Sequence, residues 1–262
     1  MEWRQINIRF TDRHAAEAAT CTHLGPALNA AERDRTVQSW FFMRKADWRI
    51  RYRPAPGAAV EADVAVQRAL TTMRNEGIVT RWANIIYEPE TYVFGGEQAM
   101  DIAHGLFHQD SSHILGYLAQ PDPRQRRELS VLLCVALMRS NGLDWYEQGD
   151  VWARIARNRP TTNTPEPQHF QRLTASIGQL LEADTSTGIS TADRTFADHA
   201  ATWLDAFTRA GVRLSRIWSD GALTTGIRAI TAHHVLFHWN RLGIPYETQG
   251  LLASAARDAV FT

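Results

Sequence analysis

Ser39-Trp40-Phe41-Phe42-Met43-Arg44 and Trp48-Arg49-Ile50-Arg51-Tyr52-Arg53 are separated only by Lys45-Ala46-Asp47. Both runs are rich in aromatic and branched residues, and the polar link is short, so the stretch reads as a β-hairpin. In the second run a period of two puts Trp48, Ile50 and Tyr52 on one face and Arg49, Arg51 and Arg53 on the other. Arginines at alternate positions stand roughly 6.7 Å apart along a strand. A solvated strand face accommodates such a row. Three guanidiniums without interleaved acids repel one another, however, and a ligand rich in carbonyls or negative charge explains them better.

Working outward from the hairpin, Gln5-Ile6-Asn7-Ile8-Arg9-Phe10 alternates and reads as a first strand. A helical stretch from about Arg13 to Glu32 connects it to the hairpin. After Pro54-Ala55-Pro56-Gly57, a helix over Ala59 to Asn75 carries Val60, Val64, Leu70 and Met73 as its apolar residues. Val79 to Glu88 then reads as a fourth strand. The order βαββαβ is that of a ferredoxin-like sheet, mostly antiparallel with helices on one face. From Gly96 onward the pattern turns helical, with helices predicted over Gln98 to Leu118, Arg124 to Arg139, Leu143 to Asn158, Gln168 to Ala183, Thr191 to Ala210, Leu223 to Arg241 and Tyr246 to Val260. Arg159 to Pro167 and Asp184 to Thr191 read as loops. The fold class is therefore α+β: a ferredoxin-like N-terminal half over residues 1–96 and a helical C-terminal half over residues 97–262. The two are expected to form one compact domain around a single pocket.

The 262 residues are 44% hydrophobic and 21% charged, an ordinary globular composition with ample material for a core. A formal net charge of zero gives no bulk attraction to nucleic acid. The sole lysine, Lys45, falls in the hairpin turn, where solvation explains it better than Schiff-base chemistry. Cys21 and Cys134 have neither the spacing of a zinc site nor that of a disulfide framework, and Cys134 sits in an apolar run as a small hydrophobe. Met1-Glu2-Trp3-Arg4-Gln5 lacks the layout of a signal peptide, and the longest apolar run, about eight residues, is too short to cross a bilayer. A cytoplasmic protein with no membrane partner is expected. Asp101, His104 and His108 lie on one predicted helix, but Gly105 stands where a zinc protease carries its general-base glutamate and no third ligand is evident. The expectation is no metal.

Two segments carry candidate chemistry. Tyr87-Glu88-Pro89-Glu90-Thr91-Tyr92-Val93-Phe94-Gly95-Gly96 gathers two carboxylates and two phenols at a strand exit. On an extended backbone Glu88 and Glu90 project to the same side. Pro89 removes a ladder donor, so the segment reads as an edge or an exit, and the glycine pair permits a sharp turn. Ala232-His233-His234-Val235-Leu236-Phe237-His238-Trp239-Asn240-Arg241 places His234, His238 and Arg241 at i, i+4 and i+7 on one helical face. Ile227 and Ile230 share that face, which suggests polar groups at the rim of something buried. Trp239 is expected to pack in the core.

Together with Leu106-Phe107-His108-Gln109-Asp110-Ser111-Ser112, these segments resemble the thiopeptide-type bacteriocin biosynthesis family. That family includes the glutamate-elimination domains of class I lanthipeptide dehydratases and the thiopeptide pyridine synthases. Glutamate-eliminating members continue the acidic turn as Glu-x-x-Arg-Tyr-Gly-Gly, whereas this chain has Glu90, Val93, Phe94, Gly95 and Gly96. Val93 cannot replace a charge-assisted hydrogen bond worth about 1.5–3 kcal/mol. The resemblance then implies a pyridine synthase: a cofactor-independent formal aza-cycloaddition of two dehydroalanines in a modified precursor peptide, with loss of water and of the leader peptide as an amide. The catalytic candidates it implies are His238 and Tyr87 for proton transfer and Arg51 for charge. Arg49, Glu88 and Glu90 are candidates for positioning, Asp110 and Ser111 for the pocket wall, and Asn240 and Arg241 for orienting a peptide amide. The enzymatic alternative is glutamate elimination from glutamylated Ser or Thr; the non-enzymatic one is a leader-binding scaffold. The expected partner is the precursor peptide with its leader, not nucleic acid, and a homodimer is left open.

Overall fold

The computed structural model describes residues 2–12, 15–120, 125–161, 166–184 and 194–262. Residues 162–165 and 185–190, where the sequence reading puts two loops, lie outside the described residues. The chain divides into two compact units: Met1–Pro89 with Phe107–Pro123, and Glu90–Leu106 with Arg124–Thr262.

The first unit is built on four strands, β1 (Arg4–Phe10), β2 (Val37–Met43), β3 (Trp48–Pro54) and β4 (Val79–Ile86). They form one sheet in the order β2-β3-β1-β4, and every neighbouring pair is antiparallel. Between β1 and β2 run α1 (Ala15–Ala19), a π-helical turn over Thr20–Leu24 and α2 (Gly25–Arg33); α3 (Ala59–Asn75) links β3 to β4.

Alternation decides what each strand buries. Ile6, Ile8, Trp40, Phe42, Trp48 and Ile50 fill the face that carries α2 and α3. Three hydrogen bonds fix the helices to that face: Tyr52 Oη donates to Asp63 (2.7 Å), Trp82 Nε1 to Gln67 (2.9 Å) and Trp40 Nε1 to Glu32 (3.2 Å). α3 buries Ala62, Val66, Leu70 and Met73, a stripe at spacings of four, four and three. Val60 and Val64, expected among its apolar contacts, are exposed because they project from the other side of that stripe.

The two sheet edges are treated differently. Along β2, Phe42 N–H donates to Ser111 Oγ (3.2 Å), and His108 Nδ1 lies 2.9 Å from the Trp40 carbonyl oxygen. Both side chains come from α4 (Glu97–Leu118), whose later part therefore belongs with the sheet. Among the described residues, no side chain is hydrogen-bonded to the outer edge of β4 in this way. All of its residues except Val79 and Trp82 are exposed, Ile85 and Ile86 among them.

The second unit is helical: the start of α4 with α5 (Arg126–Ser140), α6 (Trp145–Asn158), α7 (Pro167–Glu182), α8 (Arg194–Ser219), α9 (Ile227–Leu242) and α10 (Tyr246–Phe261). α6 opens on a capping box in which Asp144 accepts from Glu147 N–H and Glu147 accepts from Asp144 N–H. α7 ends on Arg139 of α5, which donates to the carbonyls of Leu181 and Ala183. α9 is apolar or buried around most of its circumference and forms the core of the unit. Trp239 stacks on Trp152 with centroids 5.9 Å apart and donates to Ser130 Oγ at 3.0 Å.

α8 runs nine residues past the predicted end at Ala210. Gly211 directly follows that end, and a Cβ there would lie 2.8 Å from the Leu137 carbonyl and overlap Ser140. Glycine is present because α5 approaches closely. α9 begins at Ile227, four residues later than predicted, since the preceding segment is held to the 91–96 turn by Thr224 N–H donating to Gly95 O (3.1 Å).

Candidate active site

The candidate residues fall into two constellations, one in each unit. The first lies on the sheet face opposite α2 and α3. The strand registers align Phe41, Arg51, Gln5 and Ile85 in one row across the four strands. Arg51 is only 6% exposed, so the arginine row is not a solvated face. Its Nε donates to Gln5 Oε1 at 2.7 Å, and Gln5 Nε2 in turn donates to Asn7 Oδ1 at 2.9 Å. That chain fixes the orientation of the Gln5 amide and, through it, the guanidinium.

Aromatic rings surround the same group. The guanidinium carbon stands 4.4 Å from the Tyr87 centroid and 5.2 Å from that of Phe41. Trp3 closes edge-on against both rings, at 5.2 Å from Phe41 and 6.1 Å from Tyr87, and Arg53 lies 5.7 Å from the Trp3 centroid. A cation held against π-faces and away from bulk water is a fixed positive charge that needs no reorganisation when a substrate oxygen develops negative charge. Arg49, half-buried, occupies the next row, opposite Asn7 and Met43.

The carboxylate pair of the sequence reading is not built on a strand. β4 ends at Ile86, two residues short of the predicted Glu88, so both glutamates lie beyond the strand. The ladder stops at the Arg4–Ile86 pair, where β1 begins, and the Glu90 carbonyl accepts from Phe94 N–H (3.1 Å) to start a turn. Both glutamates are exposed; Glu88 belongs to the first unit and Glu90 to the second. Asp110 and Ser111 are fully buried in the first unit, with Ser111 engaged on the β2 backbone.

The second constellation lines α9. The turn after Glu90 drives Phe94 into the interior, with its ring centroid 5.0 Å from those of both His234 and Phe237. Gly95 has a φ of 89°, and a Cβ there would overlap Ile230, so this turn requires glycine twice over. His238 packs edge-on against Phe207 (5.0 Å) and Trp203 (6.0 Å) of α8. His234, His238 and Arg241 are all buried, not placed at a rim as their spacing with Ile227 and Ile230 suggested. The reason is that α9 is enclosed on nearly every side. Burial pushes the His234 imidazole down to about 3, with the nearby positive charge of Arg241 and then His233 adding to the effect, so it is neutral near pH 7. Asn240 faces α10, where its Oδ1 accepts from Gln249 Nε2 (3.1 Å).

Sequence reading missed Gln5, Asn7, Trp3 and Phe41 as parts of the Arg51 constellation. For the three that lie in strands, Gln5, Asn7 and Phe41, the one signal was parity: each falls on the face opposite the obvious core residues. His108, weighed as a metal ligand, binds the β2 backbone and Glu32, 3.1 Å from its Nε2. Among the described residues no three His, Cys, Asp or Glu side chains are grouped to hold a metal ion. Cys21 and Cys134 are both free thiols. No described helix is long and apolar enough to cross a membrane.

Comparison with known proteins agrees with this architecture. MibB, a tRNA-dependent lantibiotic dehydratase from Microbispora sp. 107891, superposes with a TM-score of 0.72 at 18% identity; all of this chain matches, but it spans only 28% of that protein's length. TsrL matches with a TM-score of 0.67 at 15% identity, over 100% of this chain and 96% of TsrL. TbtD, the pyridine synthase from thiomuracin biosynthesis, matches with a TM-score of 0.64 at 12% identity, over 99% and 97% of the two chains. Comparison with curated proteins finds no significant match. The model of the lantibiotic biosynthesis dehydratase C-terminal family matches residues 3–260, and the chain belongs to that family.

Proposed function

We propose that this protein is a pyridine synthase acting on a ribosomal precursor peptide. It would join two dehydroalanines by a formal aza-cycloaddition, then aromatise the ring by losing water and releasing the leader as an amide. The observation that carries the reading is Val93. It stands in the turn before Gly95-Gly96, where glutamate-eliminating relatives are expected to carry an arginine, and it is half-buried with no charge to offer a glutamyl carboxylate. The overall likeness to TbtD supports the same fold, and the strand order β2-β3-β1-β4 with helical crossovers supports a ferredoxin-like description of the sheet.

The chemistry asks the protein to bring distant alkenes together, which is chiefly an entropic task, and to stabilise an amide in its iminol form while protons move. Arg51 supplies a fixed positive charge, and Tyr87, in contact with it, is positioned for proton transfer. His238 is the imidazole candidate for the second unit; Arg49, Glu88, Glu90, Asn240 and Arg241 are candidates for holding peptide.

Mass spectrometry of purified protein with a dehydroalanine-containing precursor tests the proposal. A pyridine macrocycle plus a leader amide is the expected product, without added metal or nucleotide. Release of glutamate alone from a glutamylated peptide would replace the reading with elimination. Tight peptide binding without turnover would replace it with a scaffold role.

A further inference from the structure

The free edge of the sheet is where we infer that substrate docks: an extended segment of the precursor peptide adds as a fifth strand along β4. The inference rests on the peptide-modifying function proposed above and adds the track by which peptide reaches the first constellation. Four observations carry it.

The first is the asymmetry of the edges. β2 has its edge groups engaged by Ser111 and His108, whereas β4 ends the sheet with its outer side exposed. A strand edge is a row of backbone donors and acceptors, and proteins that do not use one protect it with proline, lysine, bulges or a covering helix. β4 contains neither proline nor lysine, its one register irregularity is confined to the start of the strand at Thr80, and its consecutive Ile85 and Ile86 are 47% and 86% exposed.

The second is a half-open groove of about 880 Å³ at the C-terminal end of that edge. Trp3, Trp82 and Ile86 give it apolar walls, and Arg4, Asp63, Gln67 and Asn84 set polar groups among them. An added strand sends alternate side chains to opposite faces, so every second residue of the peptide would enter the groove.

Continuity with the candidate active site is the third. Gln5 and Tyr87 line the groove and are also the partners of Arg51. A peptide whose end enters the groove therefore meets two of the side chains that hold the buried guanidinium.

Charge selects the occupant. Arg81 is exposed near the start of β4, and Arg74 lies 5.7 Å from the Trp82 ring, while Glu2 and Glu88 are exposed with Arg4 at the opposite end. The fitting segment is apolar at alternate positions and carries an acidic side chain toward the Arg74 and Arg81 end. Recognition is then local, as the zero net charge of the chain requires.

The test uses the full chain and synthetic twelve-residue peptides tiling the precursor peptide proposed as its substrate. Hydrogen exchange should show protection of residues 79–86 by at least one peptide. Ile86→Lys and Arg81→Glu should each weaken that peptide's binding about tenfold or more. Replacing its acidic residue by lysine should weaken wild-type binding and restore binding to Arg81→Glu. Both substituted positions are exposed, so near-UV circular dichroism should be unchanged. Binding with protection confined to other segments, or unaltered by both variants, would overturn the edge track while leaving the peptide-modifying function intact. If no tile and no full-length precursor binds at all, both fall together.

Discussion

Arg51 shows how a single residue gains a function from its neighbours. Its charge is carried into the first unit by a strand register, held by Gln5 on one side and by the Tyr87 and Phe41 rings on the others. Lysine at this position would keep the charge but lose the planar contact and the Nε bond. Arg51→Lys should therefore lower turnover by roughly 10²-fold, as removal of a preorganised charge-stabilising donor does. Tyr87 separates two roles. Tyr87→Phe keeps the ring under the guanidinium and removes only the hydroxyl, so if Tyr87 moves a proton, kcat should fall about 10²-fold with KM little changed. Turnover near that of wild type would reduce Tyr87 to a ring that positions Arg51. The arginine row was legible from alternation alone, because parity is a local property. Gln5 and Asn7 were not, since their importance comes from cross-strand pairing with residues more than 40 positions away, and Trp3 was not, since it acts through ring contacts with Phe41 and Tyr87.

At the level of elements, propensity and packing disagree at Gly211, and magnitudes decide between them. Alanine gains about 1 kcal/mol over glycine in a helix interior. Here its Cβ would press on the Leu137 carbonyl and on Ser140, a half-buried side chain held by its 2.7 Å hydrogen bond to the Ala136 carbonyl. Overpacking of that kind costs about 1–3 kcal/mol, more than the propensity gain. Gly211→Ala should lower stability, seen as a fall in the denaturant midpoint. Gly178→Ala on α7 is the opposite case: its Cβ would meet Ala259 at 3.7 Å, an ordinary contact, so the variant should be stabilised by up to about 1 kcal/mol. The same sign at both sites would show that close packing of α5 on α8 is not what retains Gly211. This is also why the predicted end of α8 fell short. Hydrophobic period and caps mark most helices here, and α3 runs over Ala59–Asn75 as read, but a glycine kept for interhelical approach looks like a helix stop until the partner helix is known.

Across the whole molecule, two separate cores imply two separate responses to acid. The helical unit encloses the His234 imidazole among Phe94, Arg241 and the body of α9, which depresses its folded pKa to about 3 from an ordinary value of 6.5. For a base whose folded pKa is depressed, the unfolded chain binds more protons between those two values. Stability is then fully present above about pH 6.5 and declines as pH falls toward 3, by up to about 1.4 kcal/mol per unit from this one group. The α9 period revealed that His234, His238 and Arg241 share a face; it could not reveal that the face is sealed, because that depends on α5, α6 and α8 closing around it. Unfolding titrations of wild type and His234→Gln between about pH 8 and pH 4 isolate the contribution, since the surface carboxylates are common to both. The variant should lose the steeper part of the acid dependence below pH 6.5. Amide exchange in the wild type should accelerate first over residues 227–242, while the amides of β1 and β3 keep their protection to lower pH. Equal acid slopes in the two proteins, or loss of sheet protection before that of α9, would show that acid sensitivity does not originate at His234.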